Sequence, residues 1–140
     1  MVQAEASFEL TDSGQKAFSK LLTATNFFAL GGIAVDGHIS GGEQALIELL
    51  KEPIGEKDLI FLTTNGTSAG SLYALLGLKF KNLVLYKKQI ELVKAQYVLV
   101  EVEFGAGCMF YRVQRAALIG AIDSGSFDSW FVNWKQKVEN

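Results

Sequence analysis

The chain has 140 residues, the length of one ordinary domain, and we expect residues 1–140 to form a single domain. Hydrophobic residues make up 49% and charged residues 20%, a composition that excludes a disordered chain. Its 13 Lys and Arg residues against 15 Asp and Glu give a net charge of −2, which argues against nucleic-acid binding. One cysteine and one histidine exclude an internal disulfide and a Cys/His metal cluster, so we expect no metal and no cofactor.

The sequence shows no targeting segment. Its first ten residues mix acidic and polar side chains, unlike a secretory signal. The longest uncharged run lies between Lys20 and Asp36, which is shorter than the roughly 20 apolar residues of a membrane span. The lone cysteine fits a reducing compartment. We therefore expect a cytoplasmic protein without a membrane span, although a chain whose leader has been removed would look the same.

The first third of the chain predicts two helices around a strand. Thr11 or Asp12 is suited to cap a first helix, whose apolar stripe is Ala17, Phe18, Leu21 and Leu22. Residues 27–35 are apolar or small and end in an Asp-Gly turn, which predicts a buried strand. Ser40 and Glu43 have the spacing of a capping box, so a second helix begins there and ends before Pro53.

The middle of the chain carries one ambiguous segment and one strong helix. Residues 58–64 are compatible with a strand or with a short helix. Thr67 or Ser68 then caps a helix that extends through Phe80, with Gly70, Ala74 and Gly77 on one stripe. Because small residues let a neighbouring helix approach closely, we expect this helix to be buried on two sides and central to the fold.

The last part of the chain predicts a helix, a strand and two further helices. Asn82 caps a helix with one apolar face, which comprises Leu83, Tyr86, Ile90 and Val93. Residues 98–104 alternate in the manner of a strand. A helix over about residues 113–124 has the stripe Ala116, Ile119, Gly120 and Ile122, and Ser126 starts the final helix.

These elements predict a mainly helical α+β fold. We expect five or six helices and a small two- or three-stranded sheet. The sheet would be formed by residues 27–35 and 98–104, with residues 58–64 as an optional third strand, and it would pack on the helix that begins at Thr67 or Ser68.

Three patterns resemble an uncharacterised bacterial helical domain family. They are the helix motif GTSAGSLYALLGL at residues 66–78, the Gly-Cys pair at 107–108, and the helix end formed by Ile122, Gly125 and Phe127. The family pattern combines a GTxAGxLYALxGL helix, a Gly-Cys turn and an IxxGxF helix end, and the similarity covers about residues 39–127. Residues 58–64 and 98–104 are more β-prone than the family pattern. The resemblance implies a mostly helical fold and no particular activity.

Few side chains are candidates for chemistry. Cys108 is a candidate thiol nucleophile, for which His38 would be the base and Arg112 a nearby cation, whereas a free cysteine is more often a buried apolar residue. The loop from Gly31 to Glu43 is a candidate small-ligand or anion site with His38 as its polar group, although a turn and a capping box already explain its residues.

Aromatic residues form a stripe at helical spacing near the C-terminus: Phe127, Trp130, Phe131 and Trp134. Such a stripe either docks on the core or presents a surface for a protein partner or for self-association. Because no set of catalytic groups converges, the leading hypothesis is a non-catalytic bacterial interaction or regulatory module. A binding domain that uses the loop from Gly31 to Glu43 is the second hypothesis, and a Cys108/His38 thiol enzyme is the third.

Overall fold

The computed structural model describes residues 10–30, 39–52, 56–104, 109–129, 132 and 135–136. Within these residues the chain forms six α-helices, one π-helical turn and a two-stranded antiparallel sheet. The helices are α1 (Asp12–Ser19), α2 (Gly41–Leu50), α3 (Glu56–Asn65), α4 (Ser68–Lys81), α5 (Leu83–Val93) and α6 (Arg115–Asp123). The π-helical turn is Lys20–Ala24, and the strands are β1 (Leu99–Phe104) and β2 (Met109–Gln114). The predicted mainly helical α+β class is confirmed.

Helix α4 lies at the centre of the fold, as its sequence predicts. Every residue from 69 to 78 is buried, and the helix contacts α2, α3, α5, α6, the π-helical turn and β1. The glycines of α4 lie where neighbouring segments approach the helix closely. A Cβ atom added at Gly70 would lie 2.0 Å from the carbonyl oxygen of Leu21, and one at Gly77 would lie 2.7 Å from Cδ1 of Leu46. The stripe therefore lets the π-helical turn and α2 pack directly on α4.

Side-chain caps begin four of the helices at positions that the sequence predicts. Each capping oxygen accepts a hydrogen bond from a backbone N–H three residues later, which satisfies a donor that the helix itself leaves unpaired. The caps are Thr11 (to Gly14, 3.2 Å), Ser40 (to Glu43, 3.1 Å), Thr67 (to Gly70, 2.9 Å) and Asn82 (to Leu85, 3.2 Å).

The sheet differs from the expected one. Strand β1 pairs with β2, its neighbour along the chain, in a register that sets Val100 opposite Val113. Residues 27–30, the described part of the expected first strand, make only one parallel bridge, in which Phe28 N–H donates to the Glu101 carbonyl at 2.8 Å. The remainder of that predicted strand lies outside the described residues. A hairpin closes a short loop, whereas the expected pairing spans about 70 residues, and this favours the local partner.

The structure assigns residues 58–64 to a helix and places the start of α6 later than the sequence predicts. Residues 58–64 belong to α3, so the option of a third strand there is wrong; Leu59 and Leu62 are fully buried at a spacing of three residues, and acidic Glu56 lies at the helix start. Helix α6 begins at Arg115 and not at residue 113, because Val113 and Gln114 still pair with β1.

Candidate functional site

Of the four candidate site residues His38, Glu43, Cys108 and Arg112, the structure describes two. The side chain of Glu43 is buried near the start of α2, where the residue is 2% exposed, whereas Arg112 is exposed on β2 opposite Glu101. These two side chains therefore do not line one surface. His38 and Cys108 lie outside the described residues. The loop-binding hypothesis and the thiol-enzyme hypothesis stay predictions.

The buried start of α2 is organised by Tyr73, which the sequence does not single out. Its hydroxyl donates to the Ala29 carbonyl at 2.6 Å, accepts from Ala29 N–H at 2.8 Å and lies 2.9 Å from Oγ of Ser40. Burial raises the pKa of Tyr73, so the phenol stays neutral. A Cβ atom added at Gly42 would lie 2.3 Å from the tyrosine ring. This hydrogen-bond network holds α2, α4 and the segment at Ala29 together, so its role is structural.

The one described ring of the C-terminal aromatic stripe packs inward. Phe127 is half-buried, and its ring centroid lies 5.9 Å from that of Phe28 in an edge-to-face arrangement. Trp130, Phe131 and Trp134 lie outside the described residues. Phe127 therefore contributes to the core, and the partner-binding role of the other three rings stays a prediction.

A groove lies between α5 and α6. It encloses about 500 Å³ and is open to solvent. Its floor is apolar, because Ile90 is only 6% exposed and Ile119 only 3%. The lining residues are Ile90, Lys94, Ala95, Ala116, Ile119, Gly120 and Asp123. Two further depressions, of about 460 Å³ along α1 and about 180 Å³ between α1 and α2, have polar or charged residues along most or all of their lining.

Arg115 fixes one end of this groove. Its guanidinium donates to Oγ of Ser71 on α4 (3.0 Å), to Oε1 of Gln96 (2.7 Å) and to the carbonyl of Val93 at the end of α5 (3.4 Å). The residue is 5% exposed, and burial lowers the pKa of its guanidinium. Arg115 thus ties the start of α6 to the end of α5, and it supplies positive charge at the negative end of that helix.

Hydrogen bonds fix the opposite end. The hydroxyl of Tyr86 on α5 donates to Oδ1 of Asp123 on α6 at 3.2 Å. Lys79 on α4 donates to the Ile122 carbonyl at 2.6 Å and to Asp128 at 3.0 Å. Burial, reinforced by Asp123, raises the pKa of Tyr86. Because hydrogen bonds hold α5 and α6 in place at both ends of the groove, the groove is a fixed feature of the fold.

The groove contains residues that the sequence assigns to the core. Ala116 and Gly120, which line the groove, are exposed, and Leu83, which lies outside it, is 50% exposed, so the predicted apolar stripes are wrong at these positions. Ile90 and Ile119 are buried as predicted. A Cβ atom added at Gly120 would meet no atom of the described part of the chain within 4 Å. The apolar period correctly predicts which side of each helix is buried. It does not predict which residues at the margin of that side stay exposed.

The described part of the chain holds no cluster of three His, Cys, Asp or Glu side chains able to hold a metal ion. None of its helices is long and apolar enough to cross a bilayer. Comparison of the chain with protein-family models, with curated proteins and with solved structures finds no match. The family resemblance therefore stays a prediction, and the groove carries the functional interpretation.

Proposed function

We propose that this chain is a non-catalytic interaction module and that the α5–α6 groove binds an amphipathic helix of a partner protein. The groove combines an apolar floor with an open top, which suits a ligand that keeps one face in solvent. Along α5 the stripe of residues 83, 87, 90 and 94 alternates apolar and lysine side chains, so the apolar surface is confined to the groove itself.

The dimensions of the groove suit a short helix. The groove is lined by residues 90–95 at and just after the end of α5 and by residues 116–123 of α6, and six to eight helical residues correspond to about 9–12 Å or two turns. Small side chains at Ala95, Ala116 and Gly120 leave room for close approach of a partner backbone. An amphipathic segment of about two turns would pack its apolar side chains on the exposed Ala95, Ala116 and Gly120, above the buried Ile90 and Ile119, and keep its polar face in water.

The observation that carries this proposal is Gly120. Glycine within a helix costs about 1 kcal/mol relative to alanine. Other glycines of the described helices are explained by their neighbours, as at Gly42, Gly70 and Gly77, where an added Cβ would clash. At Gly120 an added Cβ would have no neighbour within 4 Å among the described residues, and the position lines the groove. A partner helix packed closely on α6 would occupy the space beside Gly120, which would account for a glycine at this position.

A peptide titration tests the proposal. We would titrate the ¹⁵N-labelled protein with an uncharged amphipathic helical peptide of about 15 residues, long enough for three to four turns. Saturable shift changes are expected at Ala95, Ala116 and Gly120. In the Gly120→Leu variant the new side chain fills the groove, so binding should weaken at least tenfold, a loss typical of an obstructed central contact.

Ala117→Leu is the matched control for this experiment. Ala117 is exposed on the same helix but does not line the groove, so the same apolar side chain is added outside the site. This variant should bind the peptide as the parent protein does. Equal binding by the Gly120→Leu variant, or shift changes confined to other surfaces, would contradict the proposal.

A further inference from the structure

The junction between α3 and α4 carries the dipeptide Asn65-Gly66. Asn65 is the last residue of α3 and its side chain is exposed, and Gly66 separates it from Thr67, which caps α4. Asparagine followed by glycine is open to attack by the next backbone nitrogen, because glycine has no Cβ that hinders ring closure. Asn65 is the only asparagine of the sequence that precedes a glycine. The junction therefore contains the pair of residues with the greatest intrinsic tendency to deamidate.

Deamidation of this pair needs water and no other reactant. The Gly66 nitrogen loses its proton and attacks Cγ of Asn65, so that an N–Cγ bond forms while the bond from Cγ to Nδ2 breaks. The side-chain nitrogen takes up a proton and leaves as ammonia. Water then opens the resulting succinimide at either carbonyl group, which gives aspartate or isoaspartate at position 65.

The folded junction holds the reacting groups apart. Asn65 is helical, and ring closure requires its backbone to rotate away from the helical ψ of about −42°. Gly66 N–H donates to the Leu62 carbonyl at 3.0 Å. Nδ2 of Asn65 donates to the Phe61 carbonyl and to Oγ1 of Thr64, both at 2.9 Å. Because the reaction removes both donor groups, it breaks every one of these hydrogen bonds.

The products fit the junction poorly. An aspartate at position 65 has no amide donor, and its negative charge lies at the negative end of α3. Isoaspartate adds a methylene group to the main chain and would displace Gly66. A Cβ atom added at Gly66 would already lie 2.8 Å from the Leu62 carbonyl oxygen and 3.0 Å from that of Leu21. Displacement would also disturb Thr67, whose N–H donates to the Leu21 carbonyl at 3.4 Å.

We propose that Asn65 is a modification site controlled by opening of the α3–α4 junction. It deamidates when the junction unfolds, and the product hinders the junction from closing again. Each opening can therefore lead to irreversible damage, and the stability of the closed junction limits the chemical lifetime of the chain. Thr67 begins the central helix, so damage here affects the core of the fold. The site is separate from the residues that line the α5–α6 groove.

Peptide mapping by mass spectrometry tests this proposal. The parent protein would be incubated at mildly alkaline pH, in buffer and in urea above its unfolding midpoint. Conversion of Asn65 should be at least about tenfold slower in buffer, which corresponds to an opening free energy of about 1.4 kcal/mol or more. Asn26, Asn82 and Asn133 precede bulky residues and serve as internal controls, so they should convert slowly under both conditions.

Thr67→Val opens the junction without changing the Asn-Gly pair. It removes the hydroxyl that caps α4 through Gly70 N–H at 2.9 Å, so conversion of Asn65 in buffer should accelerate about threefold to thirtyfold, as loss of an N-cap implies. In urea, where the cap is absent, variant and parent should react equally fast. Thr23→Val is the matched control, because Thr23 is exposed and its hydroxyl donates to the Ser19 carbonyl, away from the junction. It should react as the parent does.

The protein that has isoaspartate at position 65 would be separated from the parent and should unfold at a lower urea concentration. Equal conversion of Asn65 in buffer and in urea would overturn the proposal, because the fold would then give no protection. An unchanged rate in buffer for a Thr67→Val variant with a lowered urea midpoint would show that the junction does not control the reaction. An unchanged midpoint of the isoaspartate form would show that the product does not hinder closing.

Discussion

The same substitution, glycine to alanine, is predicted to have opposite effects on stability at positions 70 and 120. Both residues lie within helices, so alanine gains about 1 kcal/mol in each from helix propensity. At Gly120 an added Cβ meets no described residue within 4 Å, so the full gain in helix propensity should appear as unfolding free energy. At Gly70 the added atom would lie 2.0 Å from the Leu21 carbonyl oxygen and 2.8 Å from Oγ1 of Thr67.

At position 70 the added methyl group would disturb two hydrogen bonds near the start of α4, and this lowers the free energy of unfolding. The Leu21 oxygen also accepts the Thr67 N–H at 3.4 Å, and Thr67 Oγ1 caps the helix through Gly70 N–H at 2.9 Å. Overpacking costs about 1–3 kcal/mol, and each weakened hydrogen bond costs about 1 kcal/mol. After subtraction of the propensity gain, Gly70→Ala should lower the free energy of unfolding by about 2–4 kcal/mol.

Urea denaturation followed by circular dichroism measures both changes. The midpoint should rise for Gly120→Ala and fall for Gly70→Ala, with similar m-values that report an unchanged unfolding transition. Changes of the same sign at both positions would refute the reasoning, because they would mean that the local environment of each glycine does not determine its effect.

Three further substitutions test the polar contacts that shape the fold. Tyr73→Phe leaves the buried N–H of Ala29 without its acceptor and should cost about 2–3 kcal/mol in unfolding free energy. Tyr86→Phe removes one bond to Asp123 and should cost about 1 kcal/mol, so a loss as large as that of Tyr73→Phe would be unexpected. Arg115→Lys should lower the unfolding free energy by about 1–3 kcal/mol, because one ammonium cannot reproduce the planar guanidinium that reaches three acceptors. An unchanged urea midpoint would contradict this prediction.

Local sequence signals predict the helices of this protein well because the chemistry that starts them is local. Ser40 and Asn82 cap their helices in the expected way, and the small-residue stripe of α4 identifies the centre of the fold. The sheet was less predictable. The alternating pattern of residues 98–104 correctly indicates a strand, but which segment pairs with it depends on contacts that no local pattern specifies.

The candidate groove illustrates the same limit. The 3.6-residue period correctly assigns Ile90 and Ile119 to the buried sides of their helices. It also assigns Leu83 and Gly120 to those sides, yet both are exposed. Whether a residue at the margin of an apolar stripe is covered depends on the distance between neighbouring helices, which Arg115 and Tyr86 set through contacts distant in sequence.

Intermolecular nuclear Overhauser effects test most directly whether the groove docks a helix. The uncharged amphipathic peptide would carry protonated leucine methyl groups, and the protein would be deuterated except at its isoleucine methyls and backbone amides. We predict cross-peaks from the peptide to Ile90, Ile119 and the amide of Gly120. A bound peptide whose leucine methyl groups contact a different face of the protein, with none of these three cross-peaks, would contradict the assignment.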